Sequence, residues 1–404
     1  MSPTHAPDMA STAAGPLIFL MAGEPSGDAL GARLMAALRR ETNGSVRFAG
    51  IGGERMSEAG LASLFPMEEL SVMGLAEVLP RALGILRRIR QTAAEVRALK
   101  PAAVVSIDAT GFCFRVERRL KGTGIPLIHY VAPMVWAWRP WQARSLAKFL
   151  DHLMALLPFE APYFERYGVA TTFVGHSVIE EPIAAADGPG FRARHGIPRE
   201  APLLAVLPGS RGAEAKRLLP VFGATLARLK DRVADLRVVV PTVGTVAENV
   251  VRAAALWPVP PIVVRGAAET FAAFAAADAA LAASGTVSLE LALAGCPMVI
   301  AYKASPLTAW MVRHFMIKVR YVTVVNLLLD RAVIPELLQE NCRPDRLADA
   351  VSVLLTDPAA GRAQIAAALG AIGQLGTDDL PPSRLAARTV LGVIAEKTKA
   401  ARMA

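Results

Sequence analysis

Short apolar runs alternate along this chain with longer segments in which apolar residues recur every three or four positions. The short runs are typical of strands buried on both faces, and the longer segments are typical of helices that cover them. The alternation therefore predicts parallel sheets layered with helices. The predicted strands are Leu17–Met21, Val46–Ala49, Ala103–Ile107, Leu127–Val131, His152–Leu157, Thr171–Val174, Leu203–Leu207, Leu236–Val240, Ile262–Val264, Ala279–Ala283 and Met298–Ala301. The predicted helices include Glu214–Lys230, Glu269–Ala276 and Arg384–Lys399.

The order of these elements predicts the fold class, α/β, with two doubly wound domains that face a cleft. At 404 residues the chain is long enough for two such domains. We expect a disordered tail over residues 1–15, a first domain over 16–182, a linker over 183–200, a second domain over 201–365 and a helical segment over 366–404. The last helix is expected to pack back on the first domain or on a partner subunit, which leaves a homodimer open.

Composition narrows the class of protein. Hydrophobic residues make up 53% of the chain, but the longest apolar stretch, Ala279–Ala301, contains Glu290 and is broken by glycine and proline. This stretch is therefore expected to be core rather than a membrane span. The tail lacks the apolar region of a signal peptide. The isolated Cys113, Cys296 and Cys342 have no zinc or disulfide spacing, so we expect buried thiols in a cytoplasmic protein.

The chain carries a formal net charge of +9, which favours an anionic partner. The basic residues are dispersed, and no segment resembles a nucleic-acid-binding module. Charge and pattern together favour a phosphorylated substrate or an acidic lipid surface, and they argue against nucleic acid.

The candidate binding site with the most specific pattern follows the predicted strand Ala279–Ala283. Ser284, Gly285 and Thr286 form a small turn, and a helical pattern opens directly after them. Helix N-termini bind anions because their first N–H groups lack partners within the helix. Gly285 lets the backbone approach a ligand, and Glu290, one turn into the helix, could accept two ribose hydroxyls. The combination predicts a nucleoside diphosphate site.

A second anion-binding loop is predicted after the strand Leu203–Leu207. Gly209 and Ser210 precede Arg211, whose planar guanidinium matches phosphate oxygens. Pro208 excludes the hydrolase motif G-x-S-x-G. No histidine or carboxylate spacing indicates a metal site, so we expect neither a metal nor a cofactor, and Arg211 with the helix N-termini would supply the positive charge.

Polar residues also follow the predicted strands of the first half, and some of them are candidates for the acceptor side of a reaction. The loop after Leu17–Met21 matches neither a dinucleotide fingerprint nor a P-loop. It carries Gly23, Glu24, Ser26 and Asp28.

Asp108 directly follows the strand Ala103–Ile107, where it could accept a proton from a substrate hydroxyl or cap the helix expected near Phe112. His129 and His176 are predicted at strand ends, where either could assist a substrate or serve structure.

The segment 72–86 mixes apolar and basic residues. Val72, Met73, Leu75 and Leu79 are its candidate membrane-contacting residues. A basic amphipathic segment can lie on an anionic bilayer without spanning it. A helix that faces the core, with solvated arginines, fits the same pattern, and both interpretations stay open.

Ten motifs occur in order. They are AGEPSGD at 22–28, VMGLAE at 72–77, ID at 107–108, VWAWR at 135–139, LPFE at 157–160, GH at 175–176, LPGSR at 207–211, SGTVSLE at 284–290, CPMV at 296–299 and NLL at 326–328. Over nearly the whole chain they resemble the lipid-A-disaccharide synthases, inverting glycosyltransferases of the GT-B type with two Rossmann-like domains. The loop Asp108–Phe112 departs from the family's frequent Asp-x-Pro-Asp-Phe, and Ser177 and Val325 stand where the family often has proline.

The resemblance implies a reaction of lipid A and lipopolysaccharide biosynthesis. UDP-2,3-diacylglucosamine would condense with 2,3-diacylglucosamine 1-phosphate (lipid X) to give lipid A disaccharide 1-phosphate and UDP. Asp108 in the acceptor-facing first domain would be the base. The second domain would bind UDP through Gly209, Ser210, Arg211, Ser284, Gly285, Thr286, Glu290 and Asn326. Family members are peripheral proteins on the cytoplasmic face of the inner membrane of Gram-negative bacteria, and they work without a metal.

Two other functions stay open at this point. A UDP-sugar epimerase on the same scaffold would share the nucleotide loops but would act on UDP-GlcNAc without a lipid acceptor. A non-catalytic peripheral membrane scaffold would bind liposomes and would not bind UDP.

Overall fold

A computed structural model of the chain describes residues 15–70, 75–137, 141–242, 244, 246–283, 285–304, 320–377 and 380–403, apart from the side chains of 75–82 and 401. The described residues form two compact units. The first contains those up to Ser177 together with those from Thr377 onward, and the second is Val178–Gly376. None of the helices in the described ranges is both long enough and apolar enough to cross a membrane.

Each unit contains a six-stranded parallel sheet. The strands are β1 (Leu17–Ala22), β2 (Arg47–Ile51), β3 (Ala103–Ile107), β4 (Leu127–Tyr130), β5 (His152–Ala155), β6 (Ala170–Phe173), β7 (Leu203–Leu207), β8 (Arg237–Pro241), β9 (Pro261–Val264), β10 (Ala279–Ala283), β11 (Met298–Tyr302) and β12 (Glu336–Leu338). Every residue of β3, β7 and β10 is buried. These strands read as continuous apolar runs because helices cover both faces of a parallel sheet.

The described helices lie between and after the strands. They are α1 (Pro25–Glu41), α2 (Glu54–Glu58), α3 (Leu75–Leu99), α4 (Thr110–Leu120), α5 (Trp141–Leu146), α6 (Pro162–Glu165), α7 (Gly188–Arg194), α8 (Gly212–Lys230), α9 (Ala247–Ala254), α10 (Ala267–Ala276), α11 (Val287–Leu293), α12 (Val324–Leu329), α13 (Pro344–Thr356), α14 (Pro358–Ile372) and α15 (Pro382–Met403). The predicted α/β class with two doubly wound sheets is confirmed.

The strand order locates the functional edges. The first sheet has the order β2-β1-β3-β4-β5-β6, and the second has the order β12-β11-β10-β7-β8-β9. The chain therefore reverses direction across each sheet between β1 and β3, and between β7 and β10. Ligands of doubly wound folds bind beyond the carboxyl ends of the strands at such a switch point. The loops after these four strands thus become the candidate sites.

The C-terminal helix α15 packs back on the first unit. Its Ala386, Ala387 and Val390 are fully buried in that unit's core. Arg384 and Arg388 both donate to the Glu41 carboxylate at the end of α1, at 2.7 and 2.9 Å. Of the two placements expected for this helix, the structure shows the one on the first domain.

Two segments differ from the sequence prediction. Gly188–Arg194 was expected within a linker but forms α7, which packs on α10 in the second unit. The strand β12 was not predicted. Three residues are too few to show a periodic pattern, and β12 exists because it pairs with β11.

Candidate functional site

In the second unit, the loops after β7 and β10 leave the sheet side by side. The two strands are neighbours, and Leu207 lies opposite Ala282 in their register. The loop after β7 contains Gly209, Ser210 and Arg211, and it leads directly into α8. The parallel pairing therefore brings two predicted UDP-binding segments to one edge of the sheet.

Gly209 has a structural reason to be glycine. Its φ of +101° lies in the left-handed region, which a residue with a side chain rarely adopts. A Cβ at this position would meet the Glu214 carboxylate oxygen at 2.2 Å. Burial raises the pKa of Glu214, whereas the nearby Arg211 and Arg217 act in the opposite direction. The loop thus combines an exposed arginine with a half-buried carboxylate, and Glu214 was missed by the sequence analysis.

The loop after β10 opens α11. Gly285 and Thr286 are exposed, and Ser288 donates to the Gly285 carbonyl through its amide at 3.3 Å and through its hydroxyl at 3.0 Å. Glu290 is half-buried in the first turns of α11. Ser284 lies outside the described residues. The described part of this turn therefore has the strand, glycine and helix start that the sequence predicted.

Asn326 is placed differently from a ligand-facing residue. It is fully buried, and its amide group donates to the Ile334 carbonyl and to Glu336, both at 2.8 Å. Its carbonyl oxygen accepts from the amides of Val333 and Ile334, both at 2.9 Å. The side chain of Asn326 therefore uses all its hydrogen-bonding capacity within the protein, where it fastens α12 to the segment before β12.

In the first unit, the loops after β1 and β3 lie against each other. Ala22 pairs with Ile107 at the ends of these strands. A Cβ on the buried Gly23 would lie 2.7 Å from the Cβ of Ala109. Gly23 is thus required for the close approach of the two loops. Glu24 and the exposed Ser26 follow it at the start of α1, beside the turn that carries Asp108.

Asp108 sits in an unusual turn. Asp108 and Ala109 have φ values of +51° and +43°, so two successive residues with side chains are left-handed. Such backbone costs about 1–3 kcal/mol per residue and persists only where surrounding contacts impose it. The Asp108 amide donates to the Tyr130 carbonyl at 2.9 Å. The N-cap position of α4 is Ala109, one residue after Asp108.

Asp28 is buried, and its carboxylate has an evident structural role. It accepts hydrogen bonds from the backbone amides of Gly53 at 2.7 Å, Arg55 at 3.0 Å and Met56 at 3.1 Å. These amides belong to the start of α2, whose orphan donors Asp28 satisfies. Asp28 therefore ties α1 to the loop after β2.

His129 lies within β4 rather than at its end, and it is fully buried. Its Nδ1 is 2.6 Å from Ser106 Oγ, which is also 2.6 Å from Glu117 Oε1. Burial lowers the pKa of His129 to about 3 and raises the pKa of Glu117 to about 8. Of the two roles left open for His129, this placement favours the structural one.

His176 does follow a strand, β6. It is 9% exposed, and burial with the nearby Arg33 lowers its pKa to about 4. Glu160 of the LPFE motif is also buried, and it accepts from Trp136 Nε1 at 3.2 Å and from the Leu157 amide at 3.0 Å. Burial raises the pKa of Glu160 to about 7. Glu160 thus fastens the loop after β4 to the loop after β5.

Of the four predicted membrane-contacting residues, the structure describes only the backbone of Leu75 and Leu79. Val72 and Met73 lie outside the described residues, as do the side chains of Leu75 and Leu79 on α3. Further along α3, Leu83 is 82% exposed and Leu86 is 38% exposed.

In the described part of the chain, no group of three or more His, Cys, Asp or Glu side chains is arranged to hold a metal ion. Two important carboxylates were missed at the sequence level, and each left a signal. Glu117 stands four residues after Cys113, on the apolar face of its helix. Glu214 stands in the first turn of α8, directly after the LPGSR motif.

Comparison with known proteins gives two kinds of relationship. A family model described as lipid-A-disaccharide synthetase matches residues 18–369. The lipid-A-disaccharide synthase of Rhodospirillum centenum is 59% identical over 388 residues, which cover 96% of this chain and 96% of the relative.

Two solved structures share the fold at low sequence identity. One is described as an S. aureus MnaA-UDP co-structure, with a TM-score of 0.65 and 14% identity over 95% of this chain and 97% of that one. The other is the UDP-GlcNAc 2-epimerase of Neisseria meningitidis bound to UDP-GlcNAc, with a TM-score of 0.60 and 10% identity over 94% of this chain and 99% of that one.

Proposed function

This chain belongs to the lipid-A-disaccharide synthase family, and we propose that it joins UDP-2,3-diacylglucosamine to 2,3-diacylglucosamine 1-phosphate through the residues at its two switch points. The family match and the 59% identity confirm the predicted enzyme class, a glycosyltransferase that uses a UDP-sugar. The observation that carries the proposal is this full-length relationship, together with the arrangement of the family's motifs at the carboxyl ends of β1, β3, β7 and β10.

Asp108 is the proposed general base. A carboxylate accepts the proton of the acceptor hydroxyl as that oxygen attacks the anomeric carbon of the donor sugar, and UDP leaves in the same displacement. The inversion expected for the family follows from one displacement without a covalent enzyme intermediate. The close approach of Gly23 and Ala109 supports this role, because it presents Glu24 and Ser26 beside the base as candidate acceptor contacts.

Arg211 is the proposed partner of the UDP diphosphate. Negative charge develops on the leaving phosphate, and a guanidinium or aligned backbone N–H groups can stabilise it without a metal. Gly209 and Ser210 would bring the backbone of the same loop to the phosphates. The exposure of this loop and its position beside the end of β10 support the assignment.

The turn after β10 is proposed to bind the rest of the nucleotide. Ser284, Gly285 and Thr286 would contact phosphate oxygens, and Glu290 would accept the ribose hydroxyls. Asn326 would act indirectly, because its side chain is engaged with Ile334 and Glu336. We assign it the role of positioning α12 rather than of touching UDP.

The N-terminal part of α3 is the proposed contact with the anionic inner-membrane surface. Leu83 and Leu86 are exposed, and the neighbouring Arg87 and Arg90 are exposed as well. Later apolar positions of the same helix, such as Ile89 and Val96, are fully buried in the core. An exposed apolar and basic surface fits acylated substrates, which reach the enzyme from a bilayer. Residues 72–79 would extend this surface, and the enzyme would act from the cytoplasmic side.

The decisive experiment is mass spectrometry of the products formed by purified protein. Donor with acceptor should give a disaccharide 1-phosphate and UDP, whereas donor alone should give neither. Failure to form the disaccharide from both diacylated substrates would refute the proposed acceptor.

The epimerase alternative has the support of fold alone, through the UDP-GlcNAc 2-epimerase structure at 10% identity. An epimerase would convert UDP-GlcNAc when incubated without a lipid acceptor. Chromatography of that mixture should show unchanged UDP-GlcNAc.

A further inference from the structure

Three polar side chains lie in the interior of the first unit, next to the Asp108 turn. Ser106 on β3 and His129 on β4 are paired by the sheet register, and Glu117 on α4 covers them. The side chains are wholly buried, each at 0% exposure. The proposed chemistry of Asp108 does not use any of them directly.

The contacts within this cluster are short. Ser106 Oγ lies 2.6 Å from Glu117 Oε1 and 2.6 Å from His129 Nδ1. The Phe114 ring lies 4.6 Å from the His129 ring and helps to seal it from solvent. Among the described residues Glu117 Oε2 has no hydrogen-bond partner. Burial of polar groups, above all of one without a hydrogen-bond partner, is costly in free energy. This cost indicates a role of the cluster beyond packing.

Counting protons defines the state of the cluster. The Ser106 hydroxyl has one proton, so it can donate to only one of its two neighbours, and the other neighbour must donate to it. Burial raises the pKa of Glu117 to about 8, and burial lowers the pKa of His129 to about 3, with the Val131 backbone acting in the opposite direction on His129. Near neutral pH, Ser106 therefore donates to Glu117 Oε1, and the neutral His129 donates to Ser106 through Nδ1.

We propose that Ser106, Glu117 and His129 are positioning residues for Asp108, because their hydrogen-bond chain locks together the three elements that hold the left-handed Asp108–Ala109 turn. This inference rests on the proposed role of Asp108 as the base. Ser106 precedes Asp108 by two residues on β3. His129 precedes Tyr130, whose carbonyl accepts the Asp108 amide at 2.9 Å. Glu117 belongs to α4, which starts directly after the turn.

The working cluster carries no net charge, and ionisation of Glu117 would change that. Its titratable neighbours are His129 on β4, which is linked to it through Ser106, and Cys113 on its own helix. The pKa of the Cys113 thiol is raised by burial and then by Glu117 and Asp108, so both carboxyl groups lie near this thiol.

Among the described residues, no charged side chain shifts the pKa of Glu117 through its charge. From α3 the buried neighbours of α4 are apolar, apart from the uncharged Thr92, and Arg97 binds the Arg119 carbonyl at the end of α4. From β1, Phe19 and Met21 are apolar. An ionised Glu117 would thus be an uncompensated buried charge close to the turn that it helps to hold.

The test compares kcat and KM across about pH 6.5 to 9.5 for the full chain and three variants. Glu117→Gln keeps an oxygen that accepts from Ser106 but cannot ionise. Ser106→Ala removes the bridge. Thr92→Val is the matched control, since it deletes a buried hydroxyl that donates only to the Arg88 carbonyl at 2.8 Å in the same unit.

The wild-type kcat should fall about tenfold per pH unit above about 8, whereas kcat of Glu117→Gln should stay level. Ser106→Ala should lower kcat about tenfold or more at neutral pH and leave the UDP affinity unchanged. Thr92→Val should keep the wild-type pH profile. An alkaline fall in Glu117→Gln that matches the wild type, or a wild-type kcat in Ser106→Ala, would overturn the proposal.

Asp108→Asn in the same series distinguishes a wrong base assignment from a wrong positioning role. If this variant keeps full turnover, the base assignment is wrong, and the positioning role falls with it. If Asp108→Asn is inactive but Glu117→Gln shows the wild-type alkaline fall, only the positioning role is wrong.

Discussion

In the first unit the Asp108 turn rests on buried polar side chains and a left-handed backbone, whereas in the second unit the loops after β7 and β10 rest on apolar strands and present exposed groups. The fully buried cluster of Ser106, Glu117 and His129 stands behind the first site. Behind the second, β7 and β10 contribute only alanine, valine and leucine.

The difference follows from what each site has to do. A general base must hold one carboxylate within hydrogen-bond reach of one reacting oxygen, so small displacements cost rate. A diphosphate offers several oxygens to several backbone and guanidinium donors, so an exposed loop with glycine and arginine suffices. The first site therefore depends on a rigidly held side chain, whereas the second depends on the number of available hydrogen-bond donors.

Removing the base is expected to have the largest effect. Asp108→Asn should lower kcat by about 10²- to 10⁴-fold, because the amide cannot accept the acceptor proton. Calorimetry should show unchanged UDP affinity, because Asp108 lies in the first unit and the proposed UDP-binding residues lie in the second. Asp349→Asn, which alters an exposed carboxylate paired with Arg232, is the control and should be silent. Near-normal turnover of Asp108→Asn would contradict the claim that the first unit holds a general base at this turn.

Removing the proposed phosphate ligand should have the next largest effect. Arg211→Ala should weaken UDP binding by about 10- to 100-fold, as expected for loss of charge-assisted hydrogen bonds. Calorimetric titration with UDP measures this directly. Arg232→Ala removes an exposed arginine of the same unit and serves as the control. Equal UDP affinity in both variants would rule out Arg211 as a diphosphate ligand.

The buried titratable groups should make the stability of the first unit depend on pH. Folding raises the pKa values of Glu117 and Glu160 to about 8 and 7 from 4.5. Their contribution to the free energy of unfolding therefore falls as pH rises above 4.5. Folding lowers the pKa values of His129 and His176 to about 3 and 4 from 6.5, so these groups gain stability up to pH 6.5. The opposing effects cancel between about pH 4.5 and 6.5, and a net loss of stability follows from about pH 6.5 to about pH 8.

We expect the first unit to lose about 1–2 kcal/mol of stability between about pH 6.5 and about pH 8. Hydrogen exchange read by mass spectrometry can follow each unit separately. Glu117→Gln should remove most of the loss between about pH 7 and 8. An equal pH dependence in the second unit would erase the contrast between the two regions.

The smallest effect is expected at the surface of α3. Replacing Leu83 and Leu86 with serine should weaken co-sedimentation with anionic vesicles by about five- to tenfold, since burial of the two exposed side chains in the bilayer together contributes about 1 kcal/mol. Leu256 of the second unit is 86% exposed and gives the matched control Leu256→Ser. If the α3 variant and this control sediment alike, α3 does not contact the membrane.

Much of the fold was predictable because its signals are local. All strands but β12 appeared as apolar runs, and the helix predicted at Glu214–Lys230 differs from α8 by two residues at its start. The strand β12 and the helix α7 were missed, since short elements owe their formation to partners distant in sequence. The candidate site was predictable in part: Asp108 and Arg211 follow strands, as their motifs indicated, whereas Asn326 proved to be buried.

The sequence by itself determined the layered parallel architecture, the polar loops at the strand ends and the family, because apolar periodicity and contiguous motifs are properties of neighbouring residues. Only the tertiary structure decided that Gly23 meets Ala109, that the Asp108 turn is left-handed and that His129 is buried behind it. It also decided the protonation of Glu117, because burial raises the pKa of this carboxyl group and outweighs the hydrogen bond from Ser106, which lowers it.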